Sequence, residues 1–379
     1  MGRLAIFLLA ITSLGIGPFV TGTPYVFPSS NGLFVITVDG KRGYMDRTGK
    51  TVIEPRFQGA NNFSEGLAVV TVSTTGQHNT GYIDKTGAIV IGVQFDTGRD
   101  FHEGLAAVGF DTERSRRGCD HCDPNQRWGY VDKSGSMVIN PTYHRVGDFS
   151  EGLAAVETDN GKWSFIDKTG HRVGNVQYGY ASRFSEGLAC VMKYKKFGYI
   201  DRTGRTVIPP KFSRCGDFSE GLALVRSGGD AVSPSGLAPA NSRPPGPPEY
   251  IDKTGRVVIK LRADSADDFS EGLAPFEVKG RSGFLNCGYV DRTGKAIIPP
   301  HLEGCEKFSE GLALISRSGK WAFIDKSGHV LFTTSYAFAW KFSDGLAQVQ
   351  LGGIPPQRPQ DAKYGYIDKT GIVVWEPTN

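Results

Sequence analysis

Phe197-Gly198-Tyr199-Ile200-Asp201-Arg202-Thr203-Gly204, followed by Phe218-Ser219-Glu220-Gly221-Leu222-Ala223, is the stretch from which the rest of the chain can be read. Tyr199 opens a hexad of the type Tyr-Ile-Asp-Lys-Thr-Gly, and Phe218 stands nineteen positions later. The same interval separates Tyr44 from Phe63, Tyr82 from Phe101, Tyr130 from Phe149, Phe165 from Phe184, Tyr250 from Phe269, Tyr289 from Phe308 and Phe323 from Phe342. From each Phe to the next hexad the interval instead runs 19, 29, 16, 15, 32, 20, 15 and 24 residues. One segment therefore tolerates no insertion, and all length variation falls in one connection. Counted from the Gly-Leu pairs between Gly32 and Gly345, nine units follow one another. Periods of this size mark solenoids, propellers or arrays, in which a unit buries its apolar face only against its neighbours.

Within a unit, Gly187-Leu188-Ala189-Cys190-Val191-Met192 is apolar at successive positions. Neighbouring strand residues point to opposite faces, so this predicts an inner strand covered on both sides. Lys196–Asp201 reads as a second strand, Arg202-Thr203-Gly204 as a tight turn, and the residues up to Pro209-Pro210 as a third strand stopped by proline. Gly closes the hexad in all nine units and Asp holds its third position in all nine. A positive-φ turn position calls for Gly, and an Asp carboxylate can accept the N–H groups of the turn. Large side chains thirteen residues after the hexad opens, such as Phe57, Tyr143 and Phe212, then lead to the Phe of the next motif. The expectation is an all-β tandem array of nine three-stranded β-meander repeats, superhelical and β-solenoid-like. A closed β-propeller-like ring is the alternative. Units as short as 34 residues and termini that share no strand favour the open array.

Arg3 precedes an apolar run from Leu4 to Ile16, and Val20-Thr21-Gly22 offers a cleavage site, so residues 1–22 read as a signal peptide. Residues 23–31 are a lead-in and 32–379 carry the repeats, with no later stretch apolar enough to span a bilayer. The mature chain is thus expected to be secreted, periplasmic or in the cell envelope. A net charge of +4, or +3 without Arg3, predicts neither nucleic-acid binding nor membrane adhesion.

The motifs Arg127-Trp128-Gly129-Tyr130-Val131-Asp132, Phe197-Gly198-Tyr199-Ile200-Asp201 and Lys162-Trp163-Ser164-Phe165-Ile166-Asp167 resemble those of the WG-repeat (KWG) family. The Phe-Ser-Glu-Gly-Leu-Ala element matches the same pattern, and the resemblance covers about residues 32–379. It implies a mainly bacterial, often exported binding or scaffolding repeat, and it supplies no catalytic residues. A strict Trp-Gly survives only at Trp128-Gly129, so the Trp itself is not a shared ligand.

Chemistry-bearing residues read mostly as structure. The recurring acids from Glu65 to Glu310 and Asp344 lack EF-hand or β-helix nonapeptide spacing, and turn capping accounts for them better than calcium. Cys119-Asp120-His121-Cys122 is the one local cluster with ligand character. Without a second ligand pair, an oxidised Cys119–Cys122 pair pinning its loop fits an exported chain better than zinc. Cys215 and Cys305 take a slot filled elsewhere by small apolar residues, and Cys190 sits in the inner strand, which reads as packing. Cys287 lies in a variable loop and is free to pair or react. The histidines form no catalytic constellation, and no nucleophile elbow, phosphate loop or dinucleotide fingerprint is present. No catalytic residue, cofactor or metal site is assigned.

The long insertions 109–127, 227–249 and 352–363 all fall between the first and second strands. Equivalent connections of stacked repeats emerge on one side, so this edge is the expected binding face for a protein or cell-surface polymer. Trp128, Trp163, Trp321 and Tyr364 beside it are the candidate contacts, and they would equally suit a carbohydrate-binding module. The ligand and the oligomeric state are not readable.

Overall fold

A computed structural model describes residues 32–74, 77–111, 126–230, 243–280, 283–352 and 362–378. The expected signal peptide and lead-in, the Cys119–Cys122 pair and the centres of the long insertions lie outside these residues.

The fifth repeat is the simplest. Leu188–Lys193 (the Gly-Leu strand) pairs antiparallel with Lys196–Asp201 (the hexad strand), in a register running from Leu188↔Asp201 to Lys193↔Lys196. The hexad strand pairs in turn with the edge strand Thr206–Phe212. A fourth, two-residue strand, Tyr180–Ala181, lies on the other side of the Gly-Leu strand and pairs with Met192 and Val191. Eight of the nine sheets have this four-stranded order, and the first has three strands. The expected three-stranded meander is therefore one strand short. The return after the edge strand is not irregular, because Ala181 and the preceding residue find backbone partners on the next Gly-Leu strand. Proline does not end the edge strand either: Thr206–Phe212 runs through Pro209 and Pro210. At the free edge of a sheet proline removes no ladder bond, and it blunts pairing with other chains.

The turns behave as their residues require. Asp201 accepts from the N–H groups of Thr203 and Arg205 at 3.0 and 3.1 Å and from the Thr203 hydroxyl at 2.6 Å. Gly204 closes that turn at φ +85°. The Ser185-Glu186-Gly187-Leu188 hairpin is closed by both backbone bonds between Ser185 and Leu188, with Glu186 at φ +53°.

Alternate residues of each Gly-Leu strand pack on different neighbours. Leu188 and Cys190 join a core with Ile208, Val225 and Ile251, whereas Ala189 and Val191 join one with Leu153, Phe165 and Phe184. The sheets thus stack face to face and the strand is covered on both sides, as its composition requires. The nineteen-residue interval is a bridge between sheets. Tyr199 of the fifth sheet lies 5.0 Å from the ring of Phe218, which belongs to the sixth, and all eight such pairs fall between 4.8 and 5.0 Å. The Tyr199 hydroxyl also donates to the Gly216 carbonyl at 2.8 Å.

The stack closes on itself, which corrects the expectation of an open superhelical array. Phe34, Ile36 and Met45 of the first sheet share a core with Leu346 and Tyr366 of the ninth. The Tyr366 hydroxyl donates to the Val35 carbonyl at 2.8 Å, and the Thr378 hydroxyl donates to the Thr37 carbonyl. Gly49 abuts Val374 of the ninth sheet, as Gly87 abuts Ile53 and Gly255 abuts Ile208 at junctions within the chain. No strand need be shared between the termini, because side chains and an interface of the recurring kind make the closure. The fold is an all-β, nine-bladed propeller-like ring with no helix among the described residues.

Candidate functional site

Antiparallel pairing divides the ring into two ends. The Ser-Glu-Gly-Leu and hexad turns share one end, and the variable connections lie at the other.

At the turn end the recurring acids tie one sheet to the next. Glu186 accepts the N–H of Gly221 from the following sheet at 3.0 Å and pairs with Lys253 of that sheet at 3.1 Å. Glu65 engages Gly104 and Lys133, Glu103 engages Gly152 and Lys168, and Glu310 engages Gly345 and Lys369 in the same way. Partial burial works to raise the Glu65 carboxyl, but the bonds from Lys133 and Gly104 outweigh it and hold the group below its usual range. Each of these acids sits at positive φ, between +52° and +55°. That conformation costs about 1–2 kcal/mol for a residue with a side chain, and the bonds across the junction offset it. The carboxylates are thus occupied by the fold.

A belt of ionisable residues runs between the sheets just ahead of the buried Phe of seven of the eight motifs, with Asn62 in that place before Phe63. Burial pushes Asp100 up to about 6, the nearby Asp148 adds to the rise, and the Asn61 amide holds it at 3.0 Å. Lys307 pairs with Asp267 at 2.9 Å and Asp268 at 3.2 Å, and burial raises Asp268 and Glu306. Among the described residues no three acids, histidines or cysteines come together as a metal-binding group.

Cys190, Cys215 and Cys305, read as packing residues, instead join neighbouring sheets, and Cys287, read as free to pair, lies in the hexad strand Leu285–Asp291 and does pair. Cys190 of the fifth sheet is bonded to Cys215 of the sixth, and Cys287 of the seventh to Cys305 of the eighth, with Cα separations of 6.4 and 6.0 Å. The slot before the Phe faces the preceding sheet, so a Cys there meets one on that sheet's Gly-Leu or hexad strand.

The loop end carries the candidate aromatics, all half-buried. The Arg99 guanidinium stacks 4.7 Å from the Trp128 ring. Trp163 packs on Tyr180 at 6.2 Å. Trp321 donates its ring N–H to the Ala337 carbonyl at 3.0 Å and meets Phe338 edge-on. Tyr364 lies 6.2 Å from Trp340.

Sequence reasoning passed over Tyr194 and Phe284, the most exposed large hydrophobic side chains among the described residues at 84% and 69%. Both stand on Gly-Leu/hexad connections. Tyr194 and Lys195 form a two-residue hairpin turn with φ of +53° and +57°. The equivalent turns of the first and eighth sheets use Asp39-Gly40 and Ser318-Gly319, residues that suit this geometry. The signal was available: Lys-Tyr-Lys-Lys occupies a connection too short for anything but such a turn.

The sequence model described as "WG containing repeat" matches residues 43–73, 81–111, 128–163, 163–197, 197–229, 250–281, 288–321 and 321–353, more than half of the chain. The chain belongs to the WG-repeat family. Each matched segment runs from the hexad strand of one sheet into the Gly-Leu strand of the next, so eight segments describe the eight covalent junctions among nine sheets. No curated protein sequence matches it. Among solved structures, the computationally designed Ika8 protein is 13% identical with a TM-score of 0.41, covering 82% of this chain and 93% of its own. Apo AztD from Citrobacter koseri is 13% identical with a TM-score of 0.39, covering 92% and 93%. BamB from Moraxella catarrhalis is 12% identical with a TM-score of 0.38, covering 86% and 92%. At these identities and TM-scores none of the three bears on what the WG-repeat chain binds.

Proposed function

We propose that this WG-repeat protein is an exported, non-enzymatic scaffold that binds a protein or a surface polymer through its variable loop end. One observation carries the reading. Insertions are confined to the connections at that end, and Tyr194 and Phe284, the most exposed large hydrophobic side chains among the described residues, stand on the same connections. The opposite end spends its carboxylates on junctions between sheets. Export is supported by the apolar run behind Arg3 and by cystines joining separate sheets, since such bonds persist in oxidising compartments.

The carbohydrate-binding reading keeps Trp128, Trp163, Trp321 and Tyr364 as partly exposed rings beside this end. Their packing dictates conservative substitutions: Trp128→Phe and Trp321→Phe should lower glycan binding without unfolding the ring. Pull-down of a partner from the cell envelope, lost when residues 233–248 are deleted, supports the scaffold. Partner capture unchanged by that deletion and by loop-end substitutions removes the loop end from the function.

A further inference from the structure

The Tyr194 turn is the place where the chain departs from its own rules. A two-residue turn with both residues at positive φ suits Asn, Asp or Gly, and the first and eighth sheets supply Asp39-Gly40 and Ser318-Gly319 there. The fifth sheet instead holds a tyrosine and a lysine in that conformation, with the ring projecting into solvent. The Lys193 ammonium lies 5.1 Å from the centroid of the Tyr194 ring. Lys196 donates to the Gly229 carbonyl at 2.7 Å, which holds the turn against the root of the longest insertion. The ring is thus an exposed, cation-backed aromatic knob on an anchored turn, and no core of its own sheet includes it.

The surroundings are positively charged. Exposed lysines stand one to a sheet on these connections at Lys41, Lys162, Lys195, Lys279, Lys320 and Lys363. Of the acids on the same connections, Asp39 is exposed on the first sheet's turn, Asp159 pairs with Arg127 and His144, and Asp230 pairs with Arg243. At the turn end, by contrast, Lys133, Lys168, Lys253, Lys326 and Lys369 are each paired with a glutamate of the preceding sheet. These five turn-end lysines are thus neutralised across their junctions, whereas the six loop-end lysines make no ion pair with a described residue.

We propose that the loop end binds an anionic polysaccharide, with Tyr194 stacking on a sugar ring and Lys193, Lys195 and the neighbouring loop lysines meeting its carboxylates. Isolated cations at intervals around a ring match a polymer of evenly spaced charges, and a lone aromatic knob matches the apolar face of a sugar. The inference deepens the scaffold reading by naming the surface polymer.

The test is affinity electrophoresis of the mature chain in gels containing polygalacturonate, dextran or polyglutamate. Tyr194→Asn with Lys195→Gly restores the preferred turn, so this variant should fold at least as well as the parent. Retardation by polygalacturonate but not dextran is expected, with affinity falling about tenfold in the double variant, as loss of one stacked and one ionic contact implies. Added salt should weaken it further. No retardation by polygalacturonate, or retardation unchanged in the double variant, overturns the proposal. So does polyglutamate binding as strong as polygalacturonate binding and independent of Tyr194. Because partner capture is tested by deleting residues 233–248, failure here leaves the scaffold reading to stand or fall on that experiment.

Discussion

Asp344 of the ninth sheet lies 3.4 Å from Arg47 of the first, 297 positions away in the chain. The pair occupies the place taken at other junctions by Glu186 and Lys253 or Glu310 and Lys369. The seam between the two ends of the repeat array is therefore built as the internal junctions are. Beneath it, Tyr366 is buried against Phe34 at 5.5 Å and donates across the seam to Val35. Tyr366→Ala should cost on the order of 3–5 kcal/mol as a large-to-small core change. Amide exchange should then rise in Leu33–Val38 of the first sheet as well as in the ninth. Exchange rising in the ninth sheet alone would mean that the seam is not made in solution.

The glutamates at positive φ give a second prediction. Glu186→Ala keeps an unfavourable conformation and removes the bonds to Gly221 and Lys253. A loss of about 1–2 kcal/mol is expected in urea unfolding. Glu186→Gly relieves the conformation and should lose less. Equal losses in the two variants would show that backbone conformation contributes nothing at this turn.

Stability should pass through a maximum in mildly acidic solution. Asp201 is lowered to about 2, first by the Thr203 hydroxyl, and Glu65 is lowered by Lys133 and Gly104 against its burial. Depressed carboxyls stabilise the fold above their unfolded pKa, and that contribution is lost as pH falls through the folded value. Asp100 has the opposite sign: raised to about 6 by burial and by Asp148, it binds a proton more readily in the folded chain. Between about pH 6 and pH 4 its protonation therefore stabilises as pH falls. Asp100→Asn, which keeps an acceptor for Asn61, should raise stability at pH 7.5 by on the order of 1 kcal/mol. The gain should fall by about half near pH 5 and vanish below about pH 4, and thermal unfolding at pH 7.5 and pH 4 checks it. A gain of the same size at both would assign the effect to something other than the charge.

The cystines predict a specific peptide map. Unreduced digests should contain Cys190 linked to Cys215 and Cys287 linked to Cys305. The double variant Cys190→Ser, Cys215→Ser should lose about 3.5 kcal/mol, the chain-entropy value for a loop of 25 residues. Alkylation of all four thiols in the unreduced, denatured protein would contradict the pairing.

How far the fold was legible depended on whether a residue's partner lay in its own repeat. Asp201 and Gly204 act within one turn, so their roles followed from residue type and position. The two-sided burial of Leu188 to Val191 followed from composition in the same way. Tyr180–Ala181 was missed as a strand because two residues carry no period, and its partners belong to the next Gly-Leu strand. Closure stood only as the alternative because each seam contact joins residues some 300 positions apart, and one junction's curvature is not written in any residue pattern. The cystines were missed for a related reason: Cys190 and Cys215 occupy different slots of the repeat, and only the stacking of sheets brings them together. Tyr194 stands outside the recurring aromatic positions of the repeat, whereas Trp163 and Trp321 are rings that the fold uses for packing.

Spin labels at positions 47 and 344, compared with labels at 65 and 133, test the closed ring most directly. The second pair spans an internal junction of the same kind, Glu65 with Lys133. Pulsed electron resonance should give the same short, narrow distance distribution for both pairs. A short distance for 65 and 133 with a long, broad one for 47 and 344 would show an open array and contradict the ring.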